Sequence, residues 1–575
     1  LRQIGWMRQL LCLALLSTLV VFAVSDDPEI AYNRIEQVWS HNIAEHGGDY
    51  VRLDAEPPIL QRSGDWLTLS WSGVEDPSSD DWVAVYVMPF QSLRDTSPVK
   101  YQYANQSATH LTEGKGSLRF SMLNMREPSI FVFFRNGTKY PVVAGSSSLV
   151  IFENWNEPLQ AHLALTSKPD EMRLVWVTKD SAKPVLKWGT EPDQYNFVTS
   201  ATTTTYERSD FCGPPATTIG YLPPGMLHSA VMHSLEPNTR YYYAYGSDEG
   251  GFATAEVVTG PLPSPDSTIQ FLAFGDMGQA EEDVSREESE MVASLNTTRL
   301  MAAEVDDMTV LLHIGDISYA RGYGSQWDVF FSLIRPIATR IPYMTCIGNH
   351  EVDYPHTTTT FNGTDSGGEC GVAYEKRMQM PTAVETEPWY SFDSGPVHFV
   401  LMSTEHDFMP NSKQRAWIEQ DLKSVNRSVT PWIVFSGHRP MYIDSTNNNT
   451  LDGDTTVAAN LTLSLESLFI ETKVDLCLWG HHHSYQRTCA VFNNTCVPPS
   501  ADGSNNAPVH MVIGMAGAGF STNIEKKQPA WFEHVDITHH GYARASANAT
   551  QLSMSFVSDV DGSIVDSVTL KRSAA

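Results

Sequence analysis

The sequence predicts two all-β domains followed by an α/β domain of layered sheets flanked by helices. Three observations carry this reading. Up to residue 259, aromatic and alternating apolar runs such as WLTLSWSG, WVAVYVM and RYYYAYG are separated by turn-rich clusters such as VEDPSSDD, the pattern of strands and their connections. Residues 260–267, GPLPSPDS, then read as a linker. Beyond it strands alternate with helical patterns, which is how layered α/β domains are written.

Taken in order, residues 1–25 carry a secretory signal pattern. Met7-Arg8-Gln9 precedes the apolar run from Leu10 to Val24, and Ala23-Val24-Ser25 is a small-x-small cleavage site. The run is too short and wrongly flanked for a membrane anchor, and no second long apolar segment follows. Residues 26–155 form an N-terminal β domain. Residues 156–262, with strands MRLVWVT, PVLKWG, RYYYAYG and FATAEVVT, form a sandwich of the fibronectin or immunoglobulin sort. Residues 268–500 hold strands TIQFLAFGD, TVLLHIGD, YMTCIGNH, VHFVLMST, PWIVFSGH and VDLCLWGHHH. Helices are expected at SREESEMVASLNTTRLMAAEV, QWDVFFSLIRPIA, KQRAWIEQDLKSV and LTLSLESLFIET. The tail, 501–575, adds VHMVIGMAG, QLSMSFVSD and SIVDSVTL, β segments expected to pack on that domain.

Composition narrows the function class. The 38 basic and 67 acidic residues give a formal net charge of −29. Such a surface repels phosphate backbones and anionic lipid, which argues against nucleic-acid and membrane partners. Nine N-x-S/T sequons, at Asn105, Asn136, Asn296, Asn362, Asn426, Asn448, Asn460, Asn493 and Asn548, predict N-linked glycans on a secreted chain. Cysteine usage agrees. Cys489 and Cys496 flank a short loop and predict a local disulfide, Cys212 and Cys370 lie in Gly/Pro-rich loops that can pair across domains, and Cys346 and Cys477 sit on apolar strands as buried thiols.

The chemistry lies at the strand ends. Gly275-Asp276-Met277-Gly278, Gly315-Asp316-Ile317-Ser318-Tyr319, Gly348-Asn349-His350-Glu351, Ser436-Gly437-His438 and Gly480-His481-His482-His483 each close a strand. In α/β sheets ligands bind beyond the carboxyl ends of strands. One such end is a turn; five in a single domain bring carboxylates, an amide oxygen, imidazoles and a phenol to one crevice. Mixed carboxylate and imidazole ligands suit iron, zinc or manganese.

This set resembles the calcineurin-like metallophosphoesterases, whose pattern begins Asp-x-His and continues Gly-Asp-x-x-Asp. Here the first block is Asp-Met-Gly, and Tyr319 replaces the last carboxylate of the second. That paired departure identifies the chain as similar to the purple acid phosphatases, over residues from about 157 to the end; residues 26–150 look like the extra N-terminal domain of the long plant-type members. The resemblance implies a metallophosphoesterase fold and a dinuclear centre of Fe(III) plus a divalent metal (Zn, Fe or Mn). Asp276, Tyr319 and His483 would bind Fe(III), Asn349, His438 and His481 the divalent ion, and Asp316 would bridge them.

It further implies hydrolysis of small phosphate monoesters by a metal-bound hydroxide, with two ions about 3.5–4 Å apart clamping the phosphoryl group and no phosphoenzyme. His350 would act as proton or hydrogen-bond donor to the leaving group, with Asn349 and His350 also contacting substrate. A further histidine pair of plant members, a few residues past the His438 block, is replaced by Arg439-Pro440-Met441-Tyr442-Ile443-Asp444. Acid catalysis then falls on His350 alone or on His406, which reads equally as the orienter of a ligand. Arg439 reads as a phosphate contact or as the partner of an acidic neighbour. A phosphodiesterase or nucleotide pyrophosphatase on the same centre is the alternative, and a metal-free secreted binding protein the third reading. A homodimer is left open, and the compartment is extracellular or vacuole-like. His482, His313, His539 and His540 are expected to point away from the metals.

Overall fold

The computed structural model describes residues 38–44, 50–180, 183–384, 386–448 and 450–572. The signal pattern of residues 1–25 lies outside these. In the N-terminal domain, Asp65–Ser72 pairs with Arg52–Glu56 and Gly116–Met122 in a three-stranded sheet. Its alternation is read directly by the fold, with Leu67, Leu69 and Trp71 buried. This sheet faces a four-stranded sheet ordered Lys100–Tyr103, Trp82–Val87, Ser129–Arg135, Val142–Ser146. Trp82–Val87 is buried on both faces. Val83 and Val85 meet the first sheet's core, while Trp82, Ala84 and Tyr86 pack with Phe134 and Val38 on the other side.

The second domain is a four-on-four sandwich. Leu159–Leu165, Met172–Thr178, Met226–Met232 and Thr202–Thr204 form one sheet, and Phe197–Ser200, Val185–Gly189, Arg240–Ser247 and Gly251–Val258 the other. Trp176, Trp188, Tyr243 and Tyr245 fill the space between them, the large aromatic area that such sandwiches bury.

Two mixed sheets build the third, C-terminal domain. In the first, Tyr343–Cys346, Val310–Ile314 and Ile269–Phe274 run parallel, followed by antiparallel Gly541–Ala547, Gln551–Ser558 and Ile564–Lys571. The second holds parallel Val397–Leu401, Trp432–Gly437, Leu476–Trp479 and Val509–Ile513, flanked by antiparallel Tyr390–Ser394 and Tyr485–Phe492. Phe271, Leu312, Phe399, Val434, Leu478 and Met511 interlock between them in one core. The chain therefore has the fold the sequence predicts: β-sandwich domains ahead of a layered metallophosphoesterase-type domain.

The tail's strands complete both sheets, Gly541–Ala547 pairing with Ile269–Phe274 and Val509–Ile513 with Leu476–Trp479. Two expectations need correction. The helix expected from residue 285 spans only Ala293–Glu304, because residues 281–290 are held by the N-terminal domain. The strand YMTCIGNH stops at Cys346, and Asn349–Val352 is a single helical turn. Cys489–Cys496 and Cys212–Cys370 are disulfides, the latter tying the second domain to a loop of the third, and Cys346 and Cys477 are buried thiols. Among the described residues no helix is long and apolar enough to cross a membrane.

Candidate metal centre

Strands of both sheets end at one place. Asp276 follows Ile269–Phe274, Asp316 follows Val310–Ile314, Asn349 follows Tyr343–Cys346, His438 follows Trp432–Gly437, and His481 and His483 follow Leu476–Trp479. The turns are tight enough that Asp276, Asp316, Tyr319 and His481 all have positive φ, between 51° and 71°. Non-glycine residues rarely accept this conformation, and it gathers at functional sites. Gly315, at φ +75°, is required twice over: a Cβ there would lie 2.3 Å from Nδ1 of His438.

Two donor groups result. Tyr319 Oη lies 2.8 Å from His483 Nε2, 3.2 Å from Asp316 Oδ2 and 3.3 Å from Asp276 Oδ1. Across Asp316, its Oδ1 lies 3.2 Å from His438 Nε2, and Asn349 Oδ1 is 3.0 Å from both His438 Nε2 and His481 Nδ1. The Asp276–Asp316–His483 and Asp316–His438–His481 atoms each cluster tightly enough to hold one cation, and Asp316 belongs to both. All are buried except His481, which is half-buried.

The imidazoles are set for coordination. His438 Nδ1 donates to Ile314 O at 3.0 Å and His483 Nδ1 to Gly519 O at 2.6 Å, so that each Nε2 faces the other donors. This is the orienting bond that metal-binding histidines make. Asp454 Oδ1 stands 3.6 Å from His481 Nε2. Burial opposes charge on His438, but Asp316, with Asp276 and Glu405, raises it to about 10. So much negative potential at one imidazole is what a cation would neutralise. The donors, oxygen-rich with imidazole and one phenol, fit a pair of hard or borderline ions.

Glu351 ties the loops together. Its Oε2 accepts from the backbone N–H of Asp316 at 3.0 Å and of Gly348 at 2.9 Å, and its Oε1 from that of Ile317 at 2.7 Å. Sequence reading passed over Glu351, although it directly follows Asn349-His350. It also passed over Asp365, whose Oδ2 accepts from Asn349 Nδ2 at 3.0 Å and whose carbonyl accepts from His350 Nδ1 at 3.1 Å. No sequence signal marks Asp365 in its Gly/Ser-rich loop.

The remaining candidates sort clearly. His350 lies at the centre, its ring centroid 4.5 Å from that of Tyr319 and tilted by 41°, with Nε2 3.8 Å from Asp316 Oδ2. His406 belongs to neither donor group; its Nδ1 is 2.8 Å from Ser403 Oγ and its ring is 6.2 Å from Trp389. Burial lowers its pKa. Its neighbour Glu405 pairs with Arg439. Arg439 makes the ion pairs that its acidic-neighbour reading expects. Its Nε bonds Glu405 at 2.9 Å, Nη2 bonds Asp353 at 3.2 Å, and Nη1 bonds Asp452 O at 3.0 Å and lies 3.3 Å from His481. Against burial, Glu405 and Asp353 raise its pKa, so this cation is matched by protein. His482 bonds Ser484, His313 bonds Tyr343, and His539 and His540 diverge to Asp536 and Ala518 O.

Comparison with known proteins agrees with this geometry. The family description "Calcineurin-like phosphoesterase" matches residues 269–485, "Purple acid Phosphatase, N-terminal domain" 158–259, "Fn3-like domain from Purple Acid Phosphatase" 53–154 and "Iron/zinc purple acid phosphatase-like protein C" 507–567. A relative from Arabidopsis thaliana, "Probable inactive purple acid phosphatase 9", is 36% identical over 91% of this chain and 86% of its own. The "Nucleotide pyrophosphatase/phosphodiesterase" of Hordeum vulgare is 35% identical over 54% of this chain and 85% of its own. The solved purple acid phosphatase PPD1 of yellow lupin (Lupinus luteus) seeds superposes with a TM-score of 0.85 at 32% identity, over 91% of this chain and 96% of that one. With its donor groups in place and about nine-tenths of its length matched by relatives above 30% identity, the chain belongs to the purple acid phosphatase family.

Proposed function

We propose that this protein is a secreted acid phosphatase that hydrolyses phosphate monoesters at a dinuclear Fe(III)–M(II) centre, M being Zn, Fe or Mn. The observation that carries the reading is the membership of Asp316 in both donor groups, since one carboxylate bridging two cations is the economical way to hold a phosphoryl-transfer pair. Asp276, Tyr319 and His483 would hold the ferric ion, and Asn349, His438 and His481 the divalent one. When bound, such a pair supplies a hydroxide nucleophile in acid and positive charge for the phosphoryl oxygens.

The chain's own residues do the rest. Because Asp365 O accepts from His350 Nδ1, the imidazolium form presents its Nε2 proton toward Asp316 and the space above Tyr319. From there it can be passed to a departing alkoxide. Asn349 Oδ1 is oriented by the bond from Nδ2 to Asp365. Arg439 pins Glu405 and Asp353 beside the cleft.

A second reading, phosphodiester or nucleotide pyrophosphate hydrolysis, is favoured by the lack, in the residues that follow His438, of the histidine pair that plant members carry there and by the barley relative's name. A third follows from the words "probable inactive" in several relatives' names: a chain that binds without turnover. Secretion or a vacuole-like compartment is supported by the two disulfides and by the exposure of Asn105, Asn136, Asn296, Asn362, Asn426, Asn448 and Asn493, and a homodimer remains part of the proposal. Metal analysis with paired assays on a nitrophenyl monoester and its bis-ester tests all three. Two metals per chain with monoester preference supports the first reading, bis-ester preference the second. Metal-free, inert protein overturns both.

A further inference from the structure

The segment between the ligand Asp276 and the helix Ala293–Glu304 is gripped by the N-terminal domain. Lys100 Nζ lies 2.8 Å from Asp283 Oδ2 and 3.2 Å from Glu281 Oε1, and also donates to Ser121 O. All three ionised groups are buried. Asp283 Oδ2 accepts from Ser121 N at 2.8 Å, and Gln102 Nε2 donates to Asp283 O and Ser285 Oγ. Tyr101 and Arg286 exchange both backbone hydrogen bonds, and Ser97 Oγ donates to Glu288 at 2.6 Å. The grip is tight enough to hold Val284, a β-branched residue, at φ +59°, which costs backbone strain. It also explains why SREESEMV is not helical.

The far side of this segment touches Tyr319. Met291 packs with Tyr319 and Ala518 in a small buried cluster. Gln326, oriented as its neighbours require, accepts from Ser289 N at 3.0 Å and donates to Tyr319 O at 3.1 Å and Ala320 O at 3.2 Å. Met291 N donates to Gln279 O at 2.8 Å, and Gln279 Nε2 to Ser289 O at 2.9 Å.

We propose that the N-terminal β domain positions Tyr319, with Lys100 as its anchoring residue and Gln326 as the link. The buried charges of Asp283 and Glu281 require Lys100. Residues 281–290 keep their path only while it is present, and Ser289 and Met291 transmit that path to the phenol. This deepens the metal-site reading and rests on it for its functional meaning, while the coupling itself does not need a metal.

The test compares Lys100→Met and Gln326→Leu with wild type by hydrogen–deuterium exchange of the full chain without metal, and by visible spectra after iron loading. Gln326→Leu leaves the domain contact intact, so it reports even if Lys100→Met folds poorly. Expected are exchange at least about tenfold faster over 317–326 in both variants, and a displaced or weakened phenolate band in both. Unchanged exchange over 317–326 in Gln326→Leu, with the wild-type band retained, overturns the inference. Absence of any phenolate band in wild type overturns the Fe(III)–Tyr319 reading instead, and the exchange data still decide the coupling.

Discussion

Gly348→Ala isolates how closely the two ligand loops approach. Gly348 has φ −115° and ψ −177°, a conformation open to any residue, so alanine there carries no backbone penalty and by chain entropy alone would stabilise by ~0.4–1 kcal/mol. Its Cβ, however, would lie 2.2 Å from Asp316 Oδ1 and 2.5 Å from Asp316 N. Ordinary contact needs more than 3 Å, so the Asp316 carboxylate or the Gly348 loop must move by about 1 Å. Glu351 resists that movement by bonding both backbones at once. Overpacking of this kind costs ~1–3 kcal/mol, and a 1 Å error in a catalytic group costs about 10²-fold in rate. The expected outcome is a lowered Tm, less than two metals per chain and turnover down about 10²-fold, measured by thermal melts, elemental analysis and nitrophenyl phosphate hydrolysis. A variant with full metal content and turnover within about twofold of wild type would refute the claim that Asp316 is packed against Gly348.

Asp316→Asn, which keeps the shape and removes the shared charge, should lower bound metal by more than about tenfold at both positions, read by elemental analysis. Tyr319→Phe should abolish any visible phenolate band while far-ultraviolet circular dichroism is unchanged; a persisting band would assign the colour elsewhere. His398→Gln tests a charge remote from the metals. Burial opposes its protonation, but Asp393 at 2.6 Å and Asp421 at 3.0 Å raise it to about 9. A raised histidine stabilises fully below its ordinary value near 6.5 and loses that contribution as pH climbs through 9. With Asp393 40% exposed, the effect is about 1–2 kcal/mol. The variant should therefore melt lower than wild type at pH 6 and equally at pH 10, and a difference that persists at pH 10 would exclude a charge origin.

Much of the fold was legible because local patterns agree with it. Alternation in Asp65–Ser72 and the apolar runs Val310–Ile314 and Trp432–Gly437 report burial on one face or both, so strand positions follow from residue order. The metal donors were legible for a related reason: each ends a strand after glycine, and strand ends of an α/β sheet share one edge. The 285–292 stretch misled because its glutamates favour a helix locally, while Lys100, Gln102 and Tyr101, nearly 200 residues earlier, claim its backbone. Tyr390–Ser394 and Tyr485–Phe492 carry weak patterns and become strands through their partners.

By itself, then, the order of residues determined the fold class and which side chains could meet a metal, and it marked the cysteines able to pair, because these depend on short-range pattern and side-chain chemistry. Only the tertiary structure decided that Arg439 is matched by Glu405 and Asp353, that His406 turns to Ser403, that Glu351 and Asp365 hold the ligands, and that a distant β domain reaches Tyr319. Those outcomes are set by which groups satisfy one another's buried charges and hydrogen bonds across long loops, and such pairings have no period or spacing along the chain.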